Sequence, residues 1–114
     1  MSKNNWSQSK TDKLARVILG WKPIDNTFHP ATNIRHAMML VESYWFMEMG
    51  YVFQLTFGPS YLFGIAHIEG FEPGKFCWSV CINAGDNKYW AYGETPELAI
   101  CNAILKLVEV NDGS

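Results

Sequence analysis

The residues best suited to chemistry lie in one short stretch, DNKYWAYGE, at positions 86 to 94. Lys88, Trp90 and Tyr92 alternate along it, so their side chains share one face if the stretch is an extended strand. An ammonium group can meet a phosphate, and flat aromatic rings can stack on a base. The pattern predicts a nucleotide-binding surface. An ordinary edge strand, exposed or buried in a dimer, with a lysine that reaches solvent has the same pattern.

Two residues elsewhere in the chain are candidates to complete such a site. Arg35 is expected near the N-terminus of a helix, where free backbone N–H groups also favour an anion. His67 is expected within a strand, where its imidazole can donate a hydrogen bond to a phosphate or a base if it faces a cleft. The predicted ligand-binding residues are therefore Arg35, His67, Lys88, Trp90 and Tyr92.

The cysteines do not indicate a metal site or a disulfide. Cys77 and Cys81 fall on one expected strand, where the rise per residue separates them by roughly 13 Å. A disulfide needs Cα atoms within about 7 Å, and one zinc ion could not hold both thiols either. Together with Cys101, they are expected to be buried small apolar residues of a protein in a reducing compartment.

No catalytic motif appears in the chain. The sequence lacks a phosphate-binding loop with its lysine, an HExxH pattern and a nucleophile elbow. We therefore expect a protein that is not an enzyme and has no metal and no cofactor.

Aromatic residues are unusually frequent. The chain has 114 residues, and Trp, Tyr and Phe make up 15% of them. Because a domain of this length has a limited interior, some rings are expected at a surface that holds another molecule. A second copy of the chain, another protein and a planar ligand are all possible occupants. Self-association is favoured, since symmetric oligomers are the commonest use of spare apolar surface.

The charges argue against a nucleic-acid polymer as the partner. Nine Lys and Arg residues stand against 11 Asp and Glu residues, and no basic residue lies between Arg35 and Lys75. A protein that follows a phosphate backbone needs several spaced cations. The chain has no apolar run of about 18 residues, so we expect no membrane contact. It has no signal-peptide pattern, so we expect a cytoplasmic protein.

The apolar pattern predicts one α+β domain over residues 9–110, between a disordered tail at 1–8 and a C-terminal tail at 111–114. Two N-terminal helices are expected. The first is capped by Ser9 or Thr11 and ends at Gly20, and the second is capped by Thr32 or Asn33 and ends at Gly50. Four strands follow, at 51–57, 61–68, 76–83 and 89–93, and their short connections favour an antiparallel sheet. A last helix begins at Thr95-Pro96. Because both sheet faces are partly apolar, we expect a layered α/β/α sandwich.

Three stretches of the chain resemble the motifs of the phage ABA-sandwich domain family. They are Gly20-Trp21, Pro30-Ala31-Thr32-Asn33-Ile34, and Thr95-Pro96 with Ala99-Ile100-Cys101. Their order and spacing cover nearly the whole chain, with residues 51 to 75 the least similar part. The resemblance implies a small phage or prophage protein. It supplies no catalytic residue.

The resemblance also suggests a function by analogy. Small phage proteins of similar architecture include sponges that sequester the nucleotide signals of bacterial immunity. We therefore expect a non-enzymatic accessory protein that binds and sequesters a small anionic, cyclic nucleotide in the bacterial host cytoplasm, as a homo-oligomer. The alternative is a protein-interaction module that blocks a host protein or assembles with phage proteins.

Overall fold

The computed structural model describes residues 6–20, 28–59 and 75–111, except for the side chains of residues 44, 45 and 111. Helix α1 (Gln8–Leu14) continues into a π-helical turn (Ala15–Leu19). Helices α2 (Ile34–Val41) and α3 (Tyr44–Glu48) precede strand β1 (Val52–Pro59). Strands β2 (Phe76–Ala84) and β3 (Asn87–Gly93) and helix α4 (Pro96–Asn111) complete the described fold. The protein is an α+β protein with three antiparallel strands in this part of the chain.

The sheet has the order β1-β2-β3, with both neighbouring pairs antiparallel. The strands predicted at 51–57, 76–83 and 89–93 are confirmed. The last begins two residues earlier than predicted, because Gly85 adopts a left-handed φ of 67° and closes a tighter turn. The strand predicted at 61–68 lies outside the described residues, so the four-strand count stays a prediction.

The two faces of the sheet differ in what packs on them. The helix face carries Phe53, Leu55, Trp78, Val80, Ile82, Tyr89 and Ala91, which pack into one hydrophobic core with the described helices. The second face carries Cys77, Ser79, Cys81, Trp90 and Tyr92, none of which belongs to that core. The described helices therefore lie on one side of the sheet, and a helical layer on the second face, as a sandwich requires, stays a prediction.

Helix α4 is the central element of the core. Its start is the predicted one, since Thr95 Oγ1 accepts a hydrogen bond from Leu98 N at 3.2 Å and Pro96 occupies the first helical position. The helix then buries side chains around most of its circumference: Leu98, Ala99, Ile100, Cys101, Ala103, Ile104, Leu107 and Val108. Such broad burial follows from packing on the sheet on one side and on α1 and α2 on the other.

The first helix ends as predicted but begins earlier. Ser7, rather than Ser9 or Thr11, is the N-cap, and its side chain accepts a hydrogen bond from Lys10 N. Thr11 instead lies buried within the helix, where its hydroxyl accepts a hydrogen bond from Trp6 Nε1. Residues 6–8, which the sequence pattern places in a tail, therefore contribute to the helix and its packing. Gly20 ends the helix with a φ of 71°, as expected of a glycine C-cap.

The second predicted helix is divided in two. Asn33, one of the two predicted caps, caps α2 by accepting hydrogen bonds from Arg35 N and His36 N. The break at Ser43 was not predicted. Its hydroxyl donates to Leu40 O at 2.7 Å and accepts from Phe46 N at 3.2 Å. One side chain thus closes α2 and caps α3, which is how a serine competes with the backbone pattern of a helix.

Within the described residues, every helix is too short or too polar to cross a lipid bilayer.

Candidate functional site

Strand β3 places the three predicted strand residues on the second face of the sheet. Lys88, Trp90 and Tyr92 lie opposite Asn83, Cys81 and Ser79 of β2, as their alternation predicts. Their exposure differs sharply, however. Lys88 is exposed and Trp90 is 41% exposed, whereas Tyr92 is only 2% exposed. Lys88 and Trp90 can therefore meet a ligand at the surface, but the ring of Tyr92 cannot stack on one without rearrangement.

The backbone of β3 is held in place by α4. Asn102 Nδ2 donates a hydrogen bond to Tyr92 O at 3.0 Å, and Lys106 Nζ donates one to Trp90 O. Asn102 and Lys106 are one helical turn apart along α4. This distance is close to the distance between two carbonyls that are two residues apart on a strand, so each side chain can reach one carbonyl. The contacts occupy carbonyls that an added strand would otherwise use, and they fix the backbone that carries Trp90.

The structure does not bring Arg35 together with the β3 residues. Arg35 is exposed on α2, whose buried residues Ala37 and Leu40 belong to the core on the helix face. The side chains of Lys88 and Trp90 point to the opposite side of the sheet. His67 lies outside the described residues. The predicted five-residue site therefore reduces, in the described structure, to a surface pair of Lys88 and Trp90.

The second face also holds a buried hydroxyl that has no partner among the described residues. Ser79 is 1% exposed, and its Oγ makes no hydrogen bond within that part of the chain. Its neighbours across the sheet are Thr56 on β1 and Tyr92 on β3. Leaving a hydroxyl buried and unpaired costs free energy of folding, so this position is a testable weak point of the fold.

A group of three aromatic rings at one end of the helix face, two of them exposed, was not singled out from the sequence. Phe57, Phe76 and Trp78 form this aromatic patch. The ring centroids of Phe57 and Trp78 are 4.8 Å apart, and those of Phe57 and Phe76 are 5.3 Å apart. Phe57 is 52% exposed and Phe76 is 60% exposed. Alternation along β2 puts Phe76 and Trp78 on one face, but only the pairing of β1 with β2 brings Phe57 beside them, and only the position of α4 leaves this end uncovered.

The position of α4 explains why the aromatic patch is uncovered. Gly93 lies opposite Trp78, and α4 begins just beyond it. The helix then runs back over β3, with Leu98 and Ala99 lying directly against Gly93. Phe57 and Phe76 are at the end of the sheet where α4 starts, so the helix covers Trp78 in part and leaves the two phenylalanines beyond its reach.

The three cysteines are buried and unpaired, as predicted. Burial raises the pKa of the Cys77 thiol, and burial together with the charge of Glu97 raises the pKa of the Cys101 thiol well above its usual range. Both thiols therefore keep their protons at neutral pH and are poor nucleophiles. Among the residues in the described ranges, no group of His, Cys, Asp and Glu has the arrangement of a metal site.

Comparison with known proteins gives no relative: no protein-family model matches the chain, and neither a curated protein nor a solved structure is similar to it.

Proposed function

We propose that the protein is a phage-encoded, non-enzymatic interaction module that holds protein partners through its aromatic patch, and that a second copy of the chain is the first such partner. The single observation that supports this proposal is the cluster of Phe57, Phe76 and Trp78, in which two large rings are more than half exposed while in contact with one another. Aromatic residues are enriched at protein–protein interfaces relative to the rest of the protein surface, and exposed apolar patches often mark such interfaces.

The size of the aromatic patch sets the strength that we expect. Two half-exposed phenylalanines offer about 200 Å² of apolar surface, so a symmetric dimer removes about 400 Å² from water. At about 25 cal/mol per Å², this burial contributes about 10 kcal/mol before the costs of association, which are themselves about 4–15 kcal/mol. At most about 6 kcal/mol remains, which corresponds to a Kd of about 40 μM, so the patch alone supports a weak dimer that forms only at high protein concentration.

Sedimentation velocity over a range of protein concentrations tests this proposal. The wild-type chain should shift from monomer towards dimer as its concentration rises, and the Phe57→Ser, Phe76→Ser double variant should stay monomeric. Met47 is 63% exposed on α3, so Met47→Ser is the matched control and should dimerise like the wild type. Two results together would refute the proposal. The wild type would be monomeric at every concentration, and no host or phage protein would bind the wild type but fail to bind the double variant.

A second candidate function is the sequestration of a small anionic, cyclic nucleotide, as the family resemblance suggests. The observation that favours it is the exposed pair of Lys88 and Trp90 on one face of β3. Stacking of a base on an indole is worth about 1–3 kcal/mol, and the ammonium group can meet the phosphate. The two candidates are compatible, because the pair and the aromatic patch lie on opposite faces of the sheet.

Titration calorimetry with a panel of cyclic nucleotides and cyclic ADP-ribose isomers tests the second candidate. Trp90→Ala and Lys88→Ala should each weaken binding at least about fivefold. Arg35→Ala, which removes a cation on the other side of the sheet, should not. A bound ligand recovered chemically intact after heat denaturation would agree with sequestration, whereas turnover would indicate a hydrolase. The absence of heat across the whole panel would rule out this function for the ligands tested.

A further inference from the structure

A small pocket lies between the start of α1 and the loop that leads into α2. Its volume is about 170 Å³, and its walls include Trp6, Ser7, Thr11, His29 and Thr32. Pockets for drug-sized molecules are typically about 300–1,000 Å³, so this one is suited to a ligand of only a few atoms. The pocket is separate from the Lys88–Trp90 pair and from the aromatic patch.

Hydrogen bonds hold both walls of the pocket in place. On one side, Trp6 Nε1 donates to Thr11 Oγ1 at 2.8 Å, which fixes the indole against the helix. On the other side, His29 N donates to His36 Nδ1 at 2.9 Å, and Phe28 stacks on the same imidazole. The pocket is thus formed without a ligand, and a ligand would bind with little reordering.

The second wall is closed by a backbone turn. Thr32 N and Asn33 N both donate hydrogen bonds to His29 O. The turn presents the side chains of His29 and Thr32 together at the pocket, immediately before α2 begins at Ile34. Both side chains are exposed, so they can meet a ligand without opening the core.

The polar groups of the pocket favour an acceptor-rich ligand. Thr11 Oγ1 accepts a hydrogen bond from Trp6 Nε1 and can still donate its own proton, whereas Ser7 Oγ already has Lys10 N and the Ser9 hydroxyl as partners. Among the described residues that line the pocket, none carries a carboxylate. The Lys10 ammonium group lies 5.5 Å from the centre of the Trp6 ring, and the Asp12 carboxylate accepts a hydrogen bond from the lining residue Gln8 at 2.9 Å.

We propose that this pocket is a binding site for a small oxyanion, that is, a phosphate or carboxylate group carried by a molecule small enough to fit beside Trp6. The hydroxyls of Thr11 and Thr32 and the imidazole of His29 donate hydrogen bonds to its oxygens. The indole of Trp6 forms the apolar wall for any flat part of the ligand. This site does not depend on the aromatic patch or on the Lys88–Trp90 pair.

Nuclear magnetic resonance titration tests the proposal with orthophosphate and with acetate as separate probes and with chloride as the ionic-strength control. The reporter is the indole N–H signal of Trp6, identified by its loss in Trp6→Phe. At least one of the two oxyanions should shift this signal to saturation with a Kd of about 1 mM or tighter, and the probe that binds identifies the class. Chloride should not produce a saturating shift.

The variants distinguish specific binding in the pocket from a non-specific attraction of anions to the protein surface. His29→Ala and Thr32→Val alter exposed side chains, so both should fold, and each should weaken oxyanion binding at least about fivefold. Lys75→Ala removes an exposed cation just before β2 and should leave binding unchanged. The proposal is overturned if neither oxyanion shifts the Trp6 signal, if chloride shifts it equally, or if the His29 and Thr32 variants bind as tightly as the wild type.

Discussion

Replacing Gly93 with alanine is expected to destabilise the fold strongly, because α4 lies against the strand at this point. A Cβ atom at position 93 would lie 2.5 Å from Ala99 N and 2.9 Å from Leu98 Cβ. Ordinary contact begins at 3.4 Å, so the helix would have to retreat by about 0.9 Å. The nearest atom belongs to the helix backbone, and α4 packs on both the sheet and other helices, so no side-chain rotation relieves the clash.

We expect Gly93→Ala to lower the free energy of unfolding by about 3 kcal/mol, at the upper end of the usual range for overpacking. For a chain of this length, each kcal/mol shifts the Tm by about 4 °C, so the Tm should fall by about 12 °C. Urea denaturation followed by far-ultraviolet circular dichroism measures the first quantity, and a thermal scan measures the second.

Gly50→Asn is the matched control for this experiment. Gly50 has a φ of 70°, and a Cβ atom added there would have open space, with no atom of the described residues within 4 Å. Asparagine tolerates that backbone conformation. Its cost should stay below about 1 kcal/mol. If Gly93→Ala costs no more than Gly50→Asn, α4 does not lie as close to β3 as described, and the explanation for the uncovered aromatic patch is wrong as well.

Three further perturbations give distinct outcomes. Ser79→Ala removes a buried hydroxyl that is unpaired within the described residues. The free energy of unfolding, measured by urea denaturation, should stay unchanged or rise by up to about 1 kcal/mol. A loss above about 1 kcal/mol would reveal a partner for Ser79. Asn102→Asp, which places an acceptor against Tyr92 O, should cost more than Asn102→Ala in the same assay; the reverse order would contradict the hydrogen bond. The raised pKa of Cys101 keeps its thiol protonated in the folded state, whereas the thiol of the unfolded chain ionises above about pH 8.5. Because the folded state then binds more protons, the free energy of unfolding should fall as the pH rises above that value, by up to about 1.4 kcal/mol per pH unit. Cys101→Ala should make that pH slope shallower, and an unchanged slope would contradict the burial of the thiol.

The parts of the fold that depend only on residues close together in the sequence were predictable. Thr95 and Pro96 start α4, Asn33 caps α2 and Gly20 ends the first helix, because caps act through side chains and backbone conformations within a few residues. The alternation of side chains along an extended strand likewise puts Val80 and Ser79 of β2 on opposite faces, as the structure has them. The break at Ser43 was missed, since a serine hydroxyl that bonds its own helix leaves no periodic signal.

The candidate site depended on packing between distant elements, and was therefore less predictable. Alternation correctly placed Lys88, Trp90 and Tyr92 on one face of β3, but it could not show that Tyr92 is covered while Trp90 is not. Sequence position could not show that Arg35 lies on the other side of the sheet. The exposure of Phe57 and Phe76 follows from where α4 begins over the sheet, which becomes known only once the helix is placed against Gly93.

The most direct test of the central claim is a search for contacts between copies of the chain at the aromatic patch. In a mixed sample of isotope-labelled and unlabelled protein, filtered nuclear Overhauser spectra report only contacts between two chains. We predict intermolecular contacts to the rings of Phe57 and Phe76 at concentrations where the dimer forms. A dimer whose intermolecular contacts all involve other residues, or a protein that stays monomeric with no partner bound at these rings, would contradict the claim.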